Sequence, residues 1–587
     1  MSEIAAEPAA SLSAARIRAQ SLAAAASDRL RSSFARAFCL DAIEVYWSGI
    51  RARTELPEPP PGAPSGPDLE LSATAKSIAS DLGTALASVS ASQACYQLGS
   101  TYAAMLPDRT RTQLGVFYTP PALAERLLDQ AEAAGVNWRT ARVLDPAAGT
   151  GGFLVPVARR MARAISTANP SIIAHNIAVR LQGWELDPFA AWISTVFLVS
   201  ELRPILGSAH HRLNRIAKVR DSLADPPAEY DFDLVVGNPP FGKVSLPNSL
   251  RRSFERGLYG HANLYGLFTD LSVRVARRGG IISLITPASF LAGEYFKNLR
   301  SVLWKEAPPV SLGFVNARKG VFEDVLQETV LGTYRRGGDR RPASVYFVHA
   351  IKNRQTKSKK AAAFNLPTEP TAPWILSRTS TDAPLARQLR NLPGRLAQWG
   401  YRVCTGPLVW NRHKTQLRDE PAPGRIPLIW AEAVSADGRF EFRSQRRNHK
   451  PFFEPKTGDD WLIVHTPCVL VQRTTAKEQA RRLIAAEMPR EFVTRHTGVT
   501  VENHLNMIVP IESSPPVSPA IVTAFFNSST ADRAFRCLSG SVAVSAYELE
   551  ALPLPSPASI ESLSRLVARH AGPLRLDEEV ARLYGLM

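Results

Sequence analysis

Four consecutive residues, Asn238, Pro239, Pro240 and Phe241, carry the most specific chemistry in the chain. They follow a short apolar run, Leu234–Val236, which predicts a buried strand. The two prolines fix the backbone and leave a main-chain carbonyl that has no hydrogen-bond partner in regular secondary structure. The Asn238 amide oxygen and the Pro239 carbonyl can both accept hydrogen bonds from one NH2 group, while Phe241 offers a flat face for a base. This set suits an aromatic amine, because two directed acceptors make its nitrogen more nucleophilic.

A second candidate site lies upstream, in the string VLDPAAGTGGFL from Val143 to Leu154. An apolar strand is predicted to end at Asp145, and a loop of small residues with Gly149 and Gly151 leads into an apolar helix. Small residues let a ligand approach the backbone closely, and glycine can adopt positive φ. In open α/β sheets, ligands bind outside the carboxyl ends of the strands. The string therefore predicts a ligand-binding loop, although it does not match the dinucleotide fingerprint GxGxxG.

Two acidic residues at the ends of the next predicted strands fit a nucleotide-like ligand. Glu185 closes the strand in GWELDP, where nucleotide-binding sheets hold ribose hydroxyls. An ionised carboxylate accepts hydrogen bonds from both vicinal hydroxyls. Asp221 falls where the third strand should end and could accept from the amino group of an adenine ring. Taken alone, Asp221 is equally well explained as a helix N-cap.

All of these residues need a sheet that brings the ends of its strands together. The runs ARVLDP, RLQGWELDP, DFDLVVGNPP and GGIISLITPASF are short and apolar, with amphipathic stretches of helical length between them. That alternation predicts a parallel, doubly wound α/β sheet. Two later runs, VSLGFVNA and QETVLGTYRR, lack a clear helix between them and predict an edge hairpin.

The flanking segments have different compositions. Residues 1–50 place Arg and Leu at helical spacing among many alanines and predict helices, and the Pro-rich stretch 56–68 predicts a linker. Residues 335–372 are basic and rich in helix and strand breakers, which indicates a domain boundary. We therefore expect a helical N-terminal region with a Pro-rich linker (1–100), the sheet domain (101–350), a basic linker (351–386) and a C-terminal α+β domain (387–587).

Charge and composition narrow the class of protein. The formal net charge of +17 favours a polyanionic partner such as nucleic acid. No apolar run approaches the roughly 20 residues that span a bilayer, and the N-terminus lacks the features of a secretory signal, so we expect a cytoplasmic protein. The five cysteines form no CxxC pair and no zinc-type cluster, so we expect reduced thiols and no metal site.

The motifs resemble those of the DNA amino-methyltransferases over roughly residues 98–334. The resemblance implies S-adenosylmethionine as methyl donor, a Rossmann-like sheet of seven mostly parallel strands, and a flipped target base held by the Asn-Pro-Pro-aromatic motif. It also implies that the glycine-rich loop binds the methionine part of the cofactor, Glu185 its ribose and Asp221 its adenine. Upstream, GVFYTPPALAERLLD resembles the family's motif X, which brings Thr119 near the cofactor carboxylate. The order of the motifs is that of the gamma class.

The resemblance also implies roles for further residues of this chain. Ser222 stands where some members place an aromatic ring against the cofactor adenine, so stacking is expected from Leu186 or Pro240 instead. Phe322 is a candidate second aromatic against the target base. Enzymes that methylate the cytosine amino group more often carry Ser in the place of Asn238, so the resemblance favours the N6 amino group of adenine. The implied cofactor-binding residues are Thr119, Asp145, Pro146, Ala147, Gly149, Gly151, Glu185, Leu186, Asp221 and Ser222.

The C-terminal domain resembles the target recognition domains of restriction-modification proteins. The stretches GPLVWNRHKTQL and FRCLSGSVAVSAYELEALPLPSP carry that resemblance. It implies a site-specific methyltransferase acting on double-stranded DNA, the modification component of a restriction-modification or phage-defence system. Arginine and lysine side chains commonly contact phosphates and base edges. The candidate DNA-contacting residues are Arg446, Arg447, Arg473, Lys477, Arg481 and Arg482.

Other functions remain open from the sequence. Cytosine N4 is the alternative target on DNA. The Asn-Pro-Pro-aromatic motif also occurs in methyltransferases that act on protein glutamine or on guanine of ribosomal RNA, although those are typically smaller. A non-enzymatic alternative is a DNA-binding subunit that has lost activity. The N-terminal helices show no acidic pair followed by Glu-x-Lys, so we expect no nuclease within the chain and a separate endonuclease or defence subunit as the candidate partner.

Overall fold

The chain forms two units in the computed structural model. The first contains residues 1–287 and 298–366, and the second contains residues 288–297 and 367–587. The structure describes residues 7–51, 69–114, 118–165, 167, 169–224, 231–315, 328–351, 355–444, 448–474, 481–539 and 543–586. The Pro-rich stretch 56–68, predicted to be a linker, lies outside these residues.

The first unit surrounds a central β-sheet with helices. Its helices are α1 Glu7–Ala25, α2 Asp28–Arg51, α3 Ala73–Ala87, α4 Ala91–Met105, α5 Asp108–Leu114, α6 Pro121–Ala133, α7 Leu154–Ala164, α8 Pro170–Arg180, α9 Pro188–Leu206, α10 Asn248–Ser253, α11 Leu264–Val275 and α12 Lys297–Glu306. Its strands are β1 Val143–Asp145, β2 Leu181–Glu185, β3 Ala217–Val219, β4 Phe232–Gly237, β5 Lys243–Val244, β6 Ala262–Asn263, β7 Ala276–Pro287, β8 Pro309–Val315, β9 Thr329–Arg335, β10 Ala343–Ile351 and β11 Gln355–Phe364.

The predicted parallel α/β sheet is confirmed in its centre. The strand order is β11-β10-β8-β9-β7-β4-β1-β2-β3. Strands β3, β2, β1, β4 and β7 are all parallel to one another, whereas β9 runs antiparallel between β7 and β8. Parallel strands β1, β2, β3 and β4 therefore present their carboxyl ends at one edge, where ligands bind in such sheets.

The outer part of the sheet differs from the prediction. Among the described residues, the central sheet has nine strands rather than seven, because β10 and β11 extend it beyond β8. The two runs predicted as an edge hairpin do pair antiparallel as β8 and β9, but they lie inside the sheet. Residues 355–364 were predicted within a basic linker and instead form the edge strand. Their lysines suggested a solvated connection, yet charged residues are common on edge strands because they discourage pairing with other chains.

The N-terminal helices share one hydrophobic core with the sheet. Buried residues of α2, α3 and α4, such as Phe38, Leu82 and Leu98, belong to the same cluster as Val143 and Leu234 of the central strands. The predicted helical character of this region is confirmed. These helices and the sheet thus form one unit, in contrast to the separate region 1–100 that composition indicated.

Helix α9 lies at the centre of this core. By length and composition it could cross a membrane, which the sequence analysis did not anticipate, but 72% of its apolar window is buried inside the protein. A helix that is apolar on all sides is typical of a core position. It begins with Asp187 as N-cap, whose side chain accepts from the Phe189 amide at 2.9 Å, and Pro188 occupies the first turn. Helix α9 is therefore a core helix.

The second unit combines short helices with mostly antiparallel strands. Its helices are α13 Ala383–Leu389, α14 Arg490–Arg495, α15 Pro519–Phe526, α16 Ser529–Leu538, α17 Ala546–Ala551, α18 Glu561–Ala568 and α19 Pro573–Leu583. Its strands are β12 Tyr401–Thr405, β13 Leu417–Arg418, β14 Ile426–Ile429, β15 Phe452–Phe453, β16 Val469–Gln472, β17 Ala485–Glu487, β18 Thr500–Val501 and β19 Leu505–Pro510. They form two sheets, ordered β12-β19-β16-β17 and β13-β15-β14-β18.

The closing stretch of the second unit packs against its beginning. The Trp399 indole donates to the Pro555 carbonyl at 2.9 Å, and Gly394 bridges to Leu554. Helix α16 is tied to the strands through Asp532, whose Oδ1 accepts from the amides of Arg482 and Leu483. The stretch that resembles the end of a recognition domain therefore completes the core of this unit.

A buried carboxylate fastens the segment after the Asn-Pro-Pro-Phe motif onto α11. Asp270 is 1% exposed and accepts from Arg256 Nε at 2.7 Å and from Arg274 Nη2 at 2.8 Å. Arg274 also donates to the Ser253 carbonyl at 2.7 Å, and its guanidinium lies 4.7 Å from the centre of the Phe254 ring. The end of α10 is thus held by two arginines that share one carboxylate.

We expect Asp270→Ala to destabilise the first unit strongly. Removing one partner of a buried ion pair leaves uncompensated charge and costs about 3–5 kcal/mol. Asp129→Ala is the control, because Asp129 also pairs with an arginine but is 53% exposed, and exposed pairs contribute only about 0–1 kcal/mol. Calorimetric unfolding measures both, and equal shifts for the two variants would contradict this role of Asp270.

Candidate active site

The carboxyl ends of the parallel strands border a cavity of about 660 Å³ in the first unit. Pockets for small ligands usually measure roughly 300–1,000 Å³. The cavity brings together side chains from motifs that lie far apart in the sequence. The predicted residues that line it are Thr119, Asp145, Pro146, Ala147, Gly149, Glu185, Leu186, Asp221, Ser222, Asn238 and Pro240.

Asp145 ends β1 as a buried carboxylate, with 1% of the residue exposed. Its Oδ1 accepts a hydrogen bond from the Ala147 amide at 3.1 Å. Burial raises its pKa to about 8, and the negative charge of Glu185 adds to the rise. A positively charged ligand group beside Asp145 would favour the ionised form.

Gly237, directly before Asn238, leaves room for that carboxylate. A Cβ atom on Gly237 would lie 2.9 Å from Asp145 Oδ1 and 3.7 Å from Pro146 Cδ. Strands β1 and β4 are adjacent and in register, with Leu144 opposite Val235. Only glycine therefore allows β4 to end this close to Asp145.

Glu185 is oriented by two backbone amides. Its Oε2 accepts from the Gly149 amide at 2.8 Å, and its Oε1 accepts from the Asp187 amide at 2.9 Å. Burial raises the pKa of Glu185, while these two hydrogen bonds lower it. The Leu186 amide also stabilises the ionised carboxylate. A carboxylate has about four acceptor positions, so acceptor capacity remains for a ligand hydroxyl.

Asp221 and Ser222 both have local structural partners. Asp221 Oδ1 accepts from the amides of Leu223 and Ala224 at 2.9 and 3.1 Å, so it caps the following turn as the sequence allowed. Its Oδ2 is left for a ligand in the cavity. The Ser222 hydroxyl donates to the Pro146 carbonyl at 2.6 Å, which joins the loop after β3 to the glycine-rich loop.

The two predicted glycines of the loop have different surroundings. Gly149 adopts φ +53° and lines the cavity, and a Cβ there would lie 3.2 Å from the Tyr118 ring. Gly151 adopts φ +99° and does not line the cavity. A Cβ on Gly151 would lie 3.0 Å from Ser194 Cβ on α9, so this glycine permits close packing of the loop on the core helix.

The Asn-Pro-Pro-Phe motif contributes two residues to the cavity itself. Asn238 and Pro240 line it, and the Asn238 Oδ1 atom is buried. Pro239 is buried beneath them. Phe241 is half-buried outside the cavity lining, and its ring meets the Tyr265 ring edge-on at 6.1 Å between centres. Phe322, the second predicted aromatic, lies outside the described residues.

Several cavity residues escaped the sequence analysis. Tyr118 and Asp187 are direct neighbours of predicted residues, so the motifs could have indicated them. Arg220 precedes Asp221 and lies over the Trp184 ring, 4.5 Å from its centre. Tyr102 of α4 had no local signal. The segment after Phe241, with β5 and α10, adds Val244, Ser245, Leu246, Pro247, Ser249, Leu250 and Ser253.

The candidate DNA-contacting residues fall in the second unit. Arg473 Nη1 donates to the Asn503 carbonyl at 3.0 Å. Arg481 donates to the carbonyls of Asn527 and Ala436. Their guanidiniums therefore hold backbone segments together, although arginine has five N–H donors and keeps some for other partners. Arg482 is half-buried, whereas Arg446, Arg447 and Lys477 lie outside the described residues.

Known proteins resemble this chain in both sequence and fold. Residues 207–321 match the Eco57I restriction-modification methylase family. Type II methyltransferase M.BsuBI of Bacillus subtilis is 24% identical over 492 residues, which cover 81% of this chain and 95% of that protein. Type II methyltransferase M.PstI of Providencia stuartii is 24% identical over 342 residues, covering 57% of this chain and 67% of that protein.

A solved structure agrees over nearly the whole chain. The type IIL restriction-modification enzyme MmeI, determined in complex with DNA, superimposes with a TM-score of 0.52 at 13% identity, covering 99% of this chain and 96% of that one. At this identity the likeness shows the fold alone. The similarity to M.BsuBI extends over most of the chain, whereas the match to the restriction-modification methylase family is confined to residues 207–321.

Gly237→Ala should disturb the cavity, because its Cβ would overlap the Asp145 carboxylate. Overpacking in a close-packed core costs about 1–3 kcal/mol, and the strain falls here on a predicted cofactor residue. We expect weaker binding of S-adenosylmethionine by calorimetric titration. Gly313→Ala is the matched control, because Gly313 lies in β8 of the same sheet. Its Cβ would meet the end of the Gln130 side chain at 3.0 Å and the side chains of Leu331 and Val348 at 3.4 and 3.5 Å, and none of these residues lines the cavity. Equal affinities for both variants would count against a tight Asp145–Gly237 contact.

Asp145 should make the stability of the ligand-free protein depend on pH. The pKa of Asp145 is about 8 in the folded chain and about 4 when unfolded. Between these values the folded state holds a proton that the unfolded state has lost, so the free energy of unfolding falls as pH rises. Asp145→Asn should remove this component between pH 5.5 and 8.5. Parallel profiles of unfolding midpoint against pH for wild type and variant would show that Asp145 does not titrate there.

Proposed function

We propose that this chain, a methyltransferase of the restriction-modification type, transfers a methyl group from S-adenosylmethionine to the N6 amino group of an adenine flipped out of duplex DNA. The observation that carries the proposal is the shared cavity: Asn238 and Pro240 line the same space as Asp145, Glu185 and Asp221. Methyl transfer between two bound molecules requires that the site for the methyl donor and the site for the receiving amine lie in one cavity.

The cofactor fits the polar groups that the cavity offers. Glu185 has acceptor capacity left for ribose hydroxyls, because a carboxylate offers about four acceptor positions and the amides of Gly149, Asp187 and Leu186 do not fill them all. Asp221 Oδ2 suits the adenine amino group, and Asp145 suits the positive amino group of the methionine part. Leu186 is 55% exposed at the cavity, so an adenine ring that covered it would remove apolar surface from water.

The chain's own residues act on the target amine. When bound, the cofactor supplies an electrophilic methyl group on a positively charged sulfur. The Asn238 amide oxygen and the Pro239 carbonyl accept hydrogen bonds from the NH2 group and fix its nitrogen toward the methyl group. Phe241, supported edge-on by Tyr265, offers its ring to the base. As the nitrogen gains the methyl group, the methyl–sulfur bond breaks and its electron pair stays on sulfur, which leaves as a neutral thioether. The nitrogen then gives up one proton, which passes to water.

The target is duplex DNA, and the second unit is its recognition domain in this proposal. The formal charge of +17 favours a polyanion, and a base inside a duplex must leave the stack before its amino group can enter a cavity. We assign contacts with DNA to Arg446, Arg447, Arg473, Lys477, Arg481 and Arg482. The chain would act in the cytoplasm as the modification component beside a separately encoded endonuclease or defence subunit.

The proposal is tested by the identity of the methylated base. Purified protein is incubated with radiolabelled S-adenosylmethionine and unmethylated duplex DNA, and the product is digested to nucleosides. We expect label in N6-methyldeoxyadenosine and a loss of at least about 100-fold in Asn238→Ala, because the interaction is made in the transition state. Asn176→Ala, on the outer helix α8, should keep wild-type activity.

Each other outcome overturns a stated part. Label in N4-methylcytosine would overturn the base while leaving the role of Asn238 in place. Label in protein or RNA would overturn DNA as the substrate. An Asn238→Ala variant that retains activity would overturn the catalytic assignment.

A further inference from the structure

Part of the cavity wall comes from the N-terminal helices rather than from the sheet. Tyr102 and Leu106, at the end of α4 and directly after it, line the cavity. We propose that the N-terminal helical region completes the cofactor site, and that Tyr102 is a positioning residue that orients Glu185 through Asp187. The inference rests on the proposed function, in which Glu185 binds the ribose of S-adenosylmethionine.

Asp187 is the first link, because the N-terminal helices hold its carboxylate from two sides. The Tyr102 hydroxyl donates to Asp187 Oδ2 at 2.8 Å, and Arg36 Nη2 of α2 lies 3.8 Å from Oδ1. Oδ1 also accepts from the Phe189 amide at the start of α9. The Tyr102 ring packs on the Phe189 ring, with 5.2 Å between centres. The orientation of Asp187 is therefore set by a helix far upstream in the sequence.

Glu185 is the second link, because the backbone of Asp187 holds its side chain. The Asp187 amide donates to Glu185 Oε1 at 2.9 Å, and the Gly149 amide donates to Oε2 at 2.8 Å. The plane of the carboxylate, and hence the direction of its remaining acceptor positions, follows from these two donors. A rotation of the Asp187 peptide would turn the acceptors away from the ligand.

The same helix also supports the glycine-rich loop that supplies the other donor. Cys95 of α4 donates its thiol to the Thr150 carbonyl at 3.0 Å. Gly99, one turn further along, has no room for a side chain, since a Cβ there would lie 2.6 Å from Thr150 Oγ1 and 2.9 Å from the Tyr118 ring. Helix α4 thus contacts both segments whose amides orient Glu185, which is why we assign it to the cofactor site.

Tyr46 provides a matched control from the same helical region. It is 1% exposed and Tyr102 is 3% exposed. The Tyr46 hydroxyl forms a 2.6 Å hydrogen bond with Ser200 Oγ on α9, and its ring lies 5.3 Å from the ring of Phe197 on α9. Each tyrosine therefore joins the N-terminal helices to α9 through one hydroxyl and one ring contact, but Tyr46 does not line the cofactor cavity.

The experiment compares Tyr102→Phe with Tyr46→Phe in the full-length protein. Binding of S-adenosylmethionine is measured by calorimetric titration, and methylation of duplex DNA gives KM and kcat. A hydrogen bond to a charged group contributes more than about tenfold to a folding equilibrium. Part of that effect should appear as weaker cofactor binding when Asp187 is no longer held. We expect Tyr102→Phe to raise Kd and KM for S-adenosylmethionine about tenfold with kcat at saturation within about twofold of wild type. Tyr46→Phe should bind S-adenosylmethionine with wild-type affinity. Both variants should unfold at a lower temperature than wild type, because each loses one hydrogen bond.

The outcomes separate this inference from the proposed function. If wild type binds S-adenosylmethionine and Tyr102→Phe binds equally well, the positioning role is overturned. It is also overturned if both variants weaken binding equally, since that result reports general loosening of the helices. If wild type itself does not bind S-adenosylmethionine, the proposed function fails first.

Discussion

The buried carboxylate of Asp145 imposes the tightest constraint on the site. A carboxylate at 1% exposure loses its hydration, and such a group is costly unless hydrogen bonds or an opposite charge compensate it. One amide, that of Ala147, is its hydrogen-bond donor in the ligand-free chain. The nearby carboxylate of Glu185 raises the cost further, which the elevated pKa of Asp145 reflects. A positive charge bound beside Asp145 would offset this cost, as the proposed cofactor site requires.

The buried Asp145 carboxylate also restricts the residues of the neighbouring strand. Strand β4 reaches the same edge of the sheet only because Gly237 has no side chain to meet Asp145. The next residue is Asn238, so the narrow approach of β4 to β1 also brings the proposed catalytic amide beside the proposed cofactor residues. The Ser222 hydroxyl, in the loop after β3, donates a hydrogen bond to the Pro146 carbonyl in the loop after β1. Three loops that follow three different strands are therefore fixed to one another by short contacts.

The N-terminal helices belong to this arrangement rather than standing apart from it. Their apolar faces join the core of the sheet, and α9 lies between them and the strands as a helix buried on most sides. A ligand that bridges Glu185 and the glycine-rich loop would therefore sense the packing of α4. The second unit has cores of its own, and two of the arginines expected to contact DNA are partly occupied in holding its backbone together.

The sequence by itself determined the features that depend on neighbours along the chain. Local patterns of apolar residues followed by turn residues predicted the strand ends at Asp145 and Glu185. They also predicted a strand at Leu234–Val236 before the Asn-Pro-Pro-Phe motif and the glycine-rich loop around Gly149. The alternation of strands and helices then implied a parallel sheet in which these strand ends meet at one edge. In the structure the residues at these strand ends do line one cavity.

Tertiary structure alone decided the contacts between distant segments. Tyr102 reaches Asp187 across 85 positions, Arg481 is occupied by carbonyls of its own unit, and strands β10 and β11 extend the sheet although their lysines suggested a linker. The physical reason is that a side chain's partner across the fold depends on how helices and strands pack. Hydrophobic periodicity shows which face of an element is buried, but not which distant residue lies against it.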